Sequence, residues 1–222
     1  MIFDTRRNIR TEGLLDEAVA ELSRADKVMA GLIGRVGPCQ LGLTQSGKPG
    51  RSHYFRALVE AIIYQQLSGK AAGTILRRFR ELFPSHRFPT TLQILAMPLE
   101  RMRAVGLSRQ KISYIRDLAA RVEDGTFPLR RVSRMADAEV ITHLTQVKGI
   151  GRWTSEMFLI FTLGRPDVLS TGDLAIRKAV QRAYGYKSLP ALSTVERHGL
   201  RWQPYRSIAS WYLWASVDNS AG

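Results

Sequence analysis

An all-α fold is predicted by the spacing of the apolar residues and by the positions of the helix-breaking residues. Apolar side chains recur at intervals of three and four residues, the period of a helix face, in three stretches. The stretches are Phe55, Leu58, Val59, Ile62 and Ile63; Ile112, Ile115, Leu118, Ala119 and Val122; and Ile176, Ala179, Val180 and Ala183. Glycines and prolines separate them, and alternating strand patterns are scarce. The sequence predicts about ten short helices in an all-α architecture.

The first predicted elements are a pair of N-terminal helices followed by the longest loop. Glycine, proline and other turn-forming residues cluster in residues 34–51. This loop separates the N-terminal pair from the body of the chain, which holds the three apolar stretches.

Positive charge is the most informative property of the composition. Lysine and arginine number 33 against 19 aspartates and glutamates, and the formal net charge is +14. Self-repulsion on that scale opposes compactness, whereas binding to nucleic acid releases counterions from the phosphates and gains affinity. Acidic residues serve solubility better, and no single helix has the basic amphipathic pattern suited to an anionic membrane. We expect a folded basic face that binds nucleic acid.

A single cysteine, Cys39, limits the metal and redox chemistry. One cysteine excludes an internal disulfide, a cysteine-ligated zinc site and an iron–sulfur cluster. The sequence lacks a run of about 20 apolar residues that would span a bilayer, and its first residues lack the apolar core of a secretory signal. We expect no membrane association, and a cytoplasmic, nucleoid-associated location in a bacterium or a nuclear one in a eukaryote.

The sharpest local feature is a glycine-rich turn between two helices at residues 144–154. One helix is predicted to end near Val147, and a second to begin at about Arg152, with Gly149 and Gly151 in the turn. Unpaired N–H groups at the start of the second helix favour an anion, and Lys148 adds charge beside them. An ordinary helical corner with a glycine C-cap is the structural alternative. The basic surroundings favour a DNA phosphate, bound without base contacts.

A carboxylate follows this turn at Asp173, just before the third apolar stretch. Aspartate is a preferred helix N-cap, and Ser170 is a second candidate cap with Asp173 three residues later. In a basic DNA-binding protein, however, a carboxylate near phosphates also suggests chemistry. Cleavage of an N-glycosidic bond builds positive charge on the sugar, which a fixed carboxylate stabilises, and the same group deprotonates the attacking water. An alkylated base leaves without a strong general acid, so one carboxylate is enough.

These features resemble the helix-hairpin-helix DNA glycosylase superfamily, and within it the DNA-3-methyladenine glycosylase II family of alkylbase DNA glycosylases. The resemblance covers about residues 52–216, and its most specific part is GIGRWT with an aspartate about twenty residues later. Four segments carry it: residues 61–72 (AIIYQQLSGKAA), 147–154 (VKGIGRWT), 167–173 (DVLSTGD) and 202–207 (WQPYRS).

The resemblance implies two helical subdomains with the active-site cleft between them. Residues 1–51 would form N-terminal helices that pack with the C-terminal subdomain. Residues 52–170 would form a barrel-like subdomain ending in the helix-hairpin-helix, at about 137–163. Residues 171–222 would carry the catalytic aspartate.

The resemblance also implies a role for individual residues, with Asp173 as the catalytic carboxylate. The hairpin residues implied to hold a DNA phosphate are Lys148, Gly149, Ile150, Gly151, Arg152 and Thr154. A structural Na⁺ or K⁺ is implied on the backbone carbonyls of Thr145, Val147 and Ile150, with no other cofactor required. The implied base pocket contains Trp153, Trp214, Met157, Tyr54 and Tyr64. The implied wedge, which fills the gap left by a flipped nucleotide, is Gln65, Gln66 and Leu67.

One departure from the superfamily bears on the reaction. Relatives with lyase activity carry a lysine nucleophile in the second hairpin helix, where this chain has Trp153. We therefore expect a monomeric, monofunctional hydrolase that flips alkylated purines of the 3-methyladenine and 7-methylguanine type out of duplex DNA and leaves an abasic site. Two alternatives stay open: a glycosylase for deaminated or oxidised bases, and a non-catalytic, structure-specific DNA-binding protein in which Asp173 is only a cap.

Overall fold

The computed structural model describes residues 13–42, 51–83 and 88–218, and its regular secondary structure in these ranges is entirely helical. The described α-helices are α1 (Leu14–Ala25), α2 (Lys27–Val36), α3 (Arg51–Tyr64), α4 (Gly69–Glu81), α5 (Thr91–Ala96), α6 (Leu99–Ala104), α7 (Arg109–Glu123), α8 (Asp137–Thr145), α9 (Arg152–Met157), α10 (Leu174–Ala183), α11 (Leu192–Gly199) and α12 (Arg206–Asp218). The predicted all-α class is confirmed. The count exceeds the expected ten because α5 and α6 have six residues each, too few to show a helical period.

The chain divides into two compact units, and its two ends belong to the same one. The first unit combines residues 1–47 with residues 159–222, and the second contains residues 48–158. The division predicted from the sequence placed its boundaries after residues 51 and 170. Within the predicted loop, α2 continues to Val36, so the start of that loop is helical, and its residues 43–50 lie outside the described part of the chain.

In the second unit, α7 packs against α3 and α5, and α3 packs against α4. The buried residues of α7 are Ile112, Ile115, Leu118, Ala119 and Val122, the five that the apolar spacing predicts. The five predicted core residues of α3 are also buried. Apolar burial at helical spacing supplies most of the stabilisation of such a unit. Helix α8 packs on α9, and together they form the hairpin.

In the first unit, α12 packs against α10, α1 and α2. The buried residues of α12 include Ile208, Ala209, Tyr212 and Leu213. In α10 the predicted core positions Ile176, Ala179 and Val180 are buried, whereas Ala183 is half-buried. Because α12 borders three other helices, it forms the centre of this unit.

A buried carboxylate ties α2 to more distant parts of the first unit. Asp26, 4% exposed, caps α2 through two backbone N–H groups and also accepts hydrogen bonds from the Tyr184 hydroxyl at 2.5 Å and the Trp202 indole N–H at 3.2 Å. Burial pushes the pKa of Asp26 upward, but these hydrogen bonds and the nearby Arg201 outweigh burial and hold the pKa below its usual value. Trp202 is completely buried.

Candidate active site and nucleic-acid interface

The hairpin joins α8 and α9 within the second unit. Helix α8 ends at Thr145, two residues before the predicted end, and α9 begins at Arg152 as predicted. A backbone hydrogen bond stabilises the turn, in which the N–H of Ile150 donates to the carbonyl of Val147 at 3.1 Å. Val147 and Ile150 are buried and anchor the turn, while Gly149 between them has a φ of 78°.

The two hairpin glycines differ in whether the fold itself requires them. Besides its positive φ, Gly149 lies against the ring of Tyr114, and a Cβ built on it would be 2.0 Å from Cδ2 of that ring. Gly151 has a φ of −94°, and a Cβ there would meet nothing within 4 Å. The fold therefore requires glycine at position 149. At position 151 packing within the protein does not require it, and glycine there leaves space for another molecule to approach the backbone.

The charged residues of the hairpin differ in their partners. The exposed residue Lys148 donates its backbone N–H to Oδ2 of Asp117 at 2.9 Å. The side chain of Arg152 is exposed, and its Nε donates to Oε1 of the buried Glu156 at 2.8 Å. Thr154 is buried. The hairpin consequently carries two exposed cationic residues, and the side chain of one of them, Arg152, is paired with a carboxylate one helical turn later.

A second turn, residues 65–67, lies next to the hairpin turn in the same unit. Gln66 has a φ of 55°, and Leu67 is 39% exposed. The side-chain amide of Gln65 donates to the carbonyl of Gly149 at 2.9 Å. These two turns line one cavity of about 690 Å³, together with Trp153. Of the three predicted wedge residues, Gln65 thus contacts the protein itself, while Gln66 and Leu67 are exposed.

The predicted base-pocket residues of the second unit lie in different environments. Trp153 is 53% exposed on α9, and Tyr64 is 42% exposed at the end of α3. Tyr54 is buried, with its ring edge-on to Phe158 at a centroid distance of 6.2 Å. Met157 is half-buried. Trp153 and Tyr64 accordingly present aromatic surface to solvent, whereas Tyr54 contributes mainly to packing.

Asp173 lies in the first unit, at the start of α10, and is 8% exposed. Its Oδ1 accepts hydrogen bonds from the backbone N–H of Ile176 at 3.0 Å and from the indole N–H of Trp214 at 3.3 Å. Asp173 is therefore the N-cap of α10, which the sequence offered as an alternative. Ser170 does not cap this helix; its carbonyl accepts from the N–H of Asp173 at 3.1 Å. The indole contact is an additional feature that capping alone does not require.

Trp214 is held in place by a ring that the sequence did not single out. Phe161 stacks on Trp214 with a centroid distance of 5.7 Å and an interplanar angle of 28°. Phe161 is 39% exposed and belongs to a π-helical turn, Phe158–Thr162, that continues α9. Because a π-helical turn departs from the usual period, apolar spacing could not assign the face of Phe161. The stack fixes the indole whose N–H reaches Asp173.

The segment before Asp173 is fastened to the start of α12. Asp167 forms a bidentate ion pair with Arg206. Nε of Arg206 donates to Oδ1 at 2.7 Å, and Nη2 donates to Oδ2 at 3.0 Å. The buried Ser207 hydroxyl donates to the carbonyl of Arg165 at 2.7 Å and accepts from the N–H of Val168 at 3.0 Å. Two of the four motif segments, residues 167–173 and 202–207, therefore contact each other. The sequence marked both segments but not the contact between them.

Metal ligation by side chains finds no support in the described ranges. No group of three or more His, Cys, Asp or Glu residues suited to a metal ion occurs among the described residues. At the predicted cation position, the carbonyl of Val147 accepts from Ile150, and a carbonyl has a second lone pair available for a cation. Among the described helices, none combines the length and the apolar character needed to cross a membrane.

The chain belongs to the HhH-GPD superfamily of base excision DNA repair proteins, whose family model matches residues 59–204. It is similar to DNA-3-methyladenine glycosylase 1 of Schizosaccharomyces pombe, with 36% identity over 204 residues, 90% of this chain and 89% of that protein. It is also similar to DNA-3-methyladenine glycosylase 2 of Escherichia coli, with 28% identity over 91% of this chain and 73% of the relative.

Two solved structures share the fold at considerable sequence identity. A 3-methyladenine DNA glycosylase of Schizosaccharomyces pombe in complex with abasic DNA aligns with a TM-score of 0.78 and 34% identity, over 91% of this chain and 97% of that one. A DNA-3-methyladenine glycosidase from Bacillus halodurans aligns with a TM-score of 0.81 and 32% identity, over 97% of this chain and 93% of the other. The family resemblance drawn from the four motif segments is confirmed.

Proposed function

We propose that this protein hydrolyses the N-glycosidic bond of alkylated purines in duplex DNA, of the 3-methyladenine and 7-methylguanine type, and leaves an abasic site. The observation that supports this proposal most is the environment of Asp173. A carboxylate needed only as a helix cap requires no more than the hydrogen bond from the backbone N–H of Ile176. Asp173 also accepts a hydrogen bond from the indole N–H of Trp214. The similar proteins of Schizosaccharomyces pombe and Escherichia coli are DNA-3-methyladenine glycosylases by name, which supports the same substrate class.

In the proposed reaction the Asp173 carboxylate stabilises the positive charge that develops on the sugar as the base departs. The hydrogen bonds from Ile176 and Trp214 engage Oδ1 and fix the orientation of the group before the substrate arrives. The same carboxylate accepts a proton from the attacking water. Because an alkylated purine already carries positive charge, no second acid is needed to assist its departure.

The hairpin and the adjacent turn are proposed to place the DNA. The backbone around Gly151 approaches a phosphate, and Lys148 and Arg152 add affinity that does not depend on sequence. Leu67, or Gln66 beside it, enters the duplex and occupies the space left by the flipped nucleotide. The exposure of these two residues supports that assignment, and the bond from Gln65 to Gly149 makes Gln65 a supporting residue.

Aromatic and soft side chains are proposed to select the base. A methylated purine is flat and cationic, so an indole face attracts it by stacking and by cation–π attraction. Trp153 and Trp214 supply the indoles, Met157 supplies a polarizable neighbour, and Tyr64 offers a further exposed ring. Tyr54 is proposed to support the pocket from the core, because it is buried.

We further propose that the enzyme is a monomer without lyase activity. The position of the lysine nucleophile of lyase relatives is occupied by Trp153, which has no amine to form a Schiff base. A Na⁺ or K⁺ ion on the carbonyls of Thr145, Val147 and Ile150 would stiffen the hairpin, and it supplies no chemistry to the reaction.

Product analysis on methylated duplex DNA tests the substrate and the reaction type together. Free bases are separated by chromatography, strands are examined before and after alkali, and a parallel sample receives borohydride. We expect free 3-methyladenine and 7-methylguanine, strands that break only after alkali, and no trapped protein–DNA adduct. Breakage without alkali together with a trapped adduct would overturn the monofunctional assignment. Release of hypoxanthine or 8-oxoguanine in place of methylated bases would overturn the substrate class.

A non-catalytic DNA-binding protein is the second candidate function, and the N-cap hydrogen bond of Asp173 to Ile176 favours it. This candidate predicts tight binding to abasic duplex with no base released from any of the duplexes above.

A further inference from the structure

One face of α7 contacts both turns of the second unit. Its residues Lys111, Tyr114 and Asp117 are spaced by three positions, which places them along the same side of the helix. Lys111 contacts the turn at residues 65–67, whereas Tyr114 and Asp117 contact the hairpin turn. A single rigid helix is thereby fastened to both proposed DNA-contacting segments.

Lys111 makes the contact with the 65–67 turn through its ammonium group. Nζ donates to the carbonyl of Ile63 at 2.7 Å and to the carbonyl of Gln65 at 2.8 Å. Carbonyls at the end of a helix such as α3 have no intrahelical partner, and a cation there also complements the helix dipole. Burial lowers the pKa of Lys111 from its usual value. The two carbonyls replace hydrogen bonds to water that the ammonium group loses on burial.

The backbone between these contacts is strained. Gln66 follows the carbonyl that Lys111 binds, and its φ of 55° lies in the left-handed region that non-glycine residues seldom adopt. Such a conformation persists when surrounding contacts determine it. Here the contacts are Lys111 on the preceding carbonyl and the weak bond from the N–H of Leu67 to the carbonyl of Tyr64, 3.3 Å long.

Gln65 joins the two turns directly. Its carbonyl accepts from Lys111, and its side-chain amide donates to the carbonyl of Gly149. On the other side of the hairpin turn, Tyr114 fills the space beside Gly149 and Asp117 accepts from the N–H of Lys148. A shift of the 65–67 turn would therefore break contacts on the hairpin side as well.

We infer that Lys111 is a positioning residue for the proposed reaction. Its ammonium group fixes the position of the 65–67 turn relative to the hairpin turn, so that the exposed side chains of the 65–67 turn enter the duplex. This inference rests on the proposed function. Lys111 touches neither base nor sugar in this role. It acts through the backbone carbonyls of Ile63 and Gln65, so its loss changes how the turn enters DNA more than how tightly the protein holds the phosphates.

The test compares Lys111→Met with Lys111→Arg and with Lys187→Met, a matched control that removes the same charge from an exposed residue of the other unit. The duplex carries a tetrahydrofuran abasic analogue with 2-aminopurine as the neighbouring base, whose fluorescence rises when stacking is disturbed. A second duplex carries 7-methylguanine for single-turnover excision. Both are measured with saturating protein, well below the melting temperature of each variant.

For Lys111→Met we expect loss of most of the fluorescence rise and excision slower by about 10- to 100-fold, because a small misplacement of a positioning element has effects of that size. The dissociation constant for the abasic duplex should change far less, because phosphate contacts supply most of the affinity. Lys111→Arg, which keeps a cationic donor, should restore most of both signals, and Lys187→Met should resemble the wild type.

Equal fluorescence and equal excision in Lys111→Met and wild type would overturn the inference, as would a wild type that gives no fluorescence rise. If the wild type excises nothing, the proposed function fails, yet the fluorescence comparison still decides the role of Lys111, because it needs no excision. Should Lys111→Met not fold, Lys111→Gln replaces it. That variant removes the charge but keeps a polar side chain, and it should reduce the same two signals; unchanged signals would overturn the inference.

Discussion

Replacing Gly149 by alanine should lower the free energy of unfolding more than the same replacement at Gly151, the other glycine of the hairpin turn. Alanine at a φ of 78° costs about 1–2 kcal/mol. The new Cβ would lie 2.0 Å from the ring of Tyr114, and relieving such an overlap costs about 1–3 kcal/mol. Tyr114 cannot swing away freely, because its hydroxyl accepts from the side-chain amide of Gln110 at 2.5 Å. Together the two effects predict a loss of about 2–5 kcal/mol.

Thermal unfolding followed by circular dichroism measures this loss, and Gly151→Ala is the matched control. For a chain of this size the predicted loss corresponds to a melting temperature lower by roughly 5–15 °C. Alanine at position 151 meets open space at an ordinary φ, so its stability should stay within about 1 kcal/mol of the wild type. Equal melting temperatures for the two variants would refute the packing argument for Gly149.

Three further predictions concern the carboxylates and the hairpin charge. Trp214→Phe keeps a ring to stack on Phe161 but removes the N–H donor to Asp173, so single-turnover excision should slow by about 3–10-fold with unchanged melting temperature; an unchanged rate would contradict this. Asp26→Asn should lower the unfolding free energy by about 1–3 kcal/mol at pH 7. Because the folded pKa of Asp26 lies below its unfolded value of about 4, its contribution is complete above the unfolded pKa and is lost as the pH falls through the folded pKa, so the stability difference between the two proteins in urea titrations should shrink as the pH is lowered below about 4; a constant difference would be contrary evidence. Lys148→Ala should weaken abasic-duplex binding and reduce the slope of log affinity against log salt by about one, which fluorescence anisotropy measures, and an unchanged slope would remove Lys148 from the phosphate contacts.

The sequence predicts the helical class and much of the core because apolar periodicity is a local property. The buried face of α7, for example, consists of the five residues that the spacing indicates. The short helices α5 and α6 escape such prediction, since six residues span less than two turns. The start of α9 at Arg152 could be predicted because Gly149 and Gly151 interrupt the helical spacing of apolar residues just before it.

Part of the candidate site could be predicted from the sequence. The motif around Gly149 and the position of Asp173 are visible in the sequence, because each depends on a few neighbouring residues. The contacts of Trp214 with Asp173 and of Asp167 with Arg206 join residues about forty positions apart. The contact of Lys111 with Gln65 is equally non-local. No local pattern reports such pairs, so only the folded chain reveals them.

The most direct test of the central claim is single-turnover excision of 7-methylguanine by wild type and Asp173→Asn, with abasic-duplex affinity measured in parallel. Asparagine is as good an N-cap as aspartate, so this change removes the charge while preserving the helix start. We predict that Asp173→Asn binds the abasic duplex and melts like the wild type but releases no detectable base. An excision rate equal to that of the wild type would contradict the account and leave Asp173 as a structural cap.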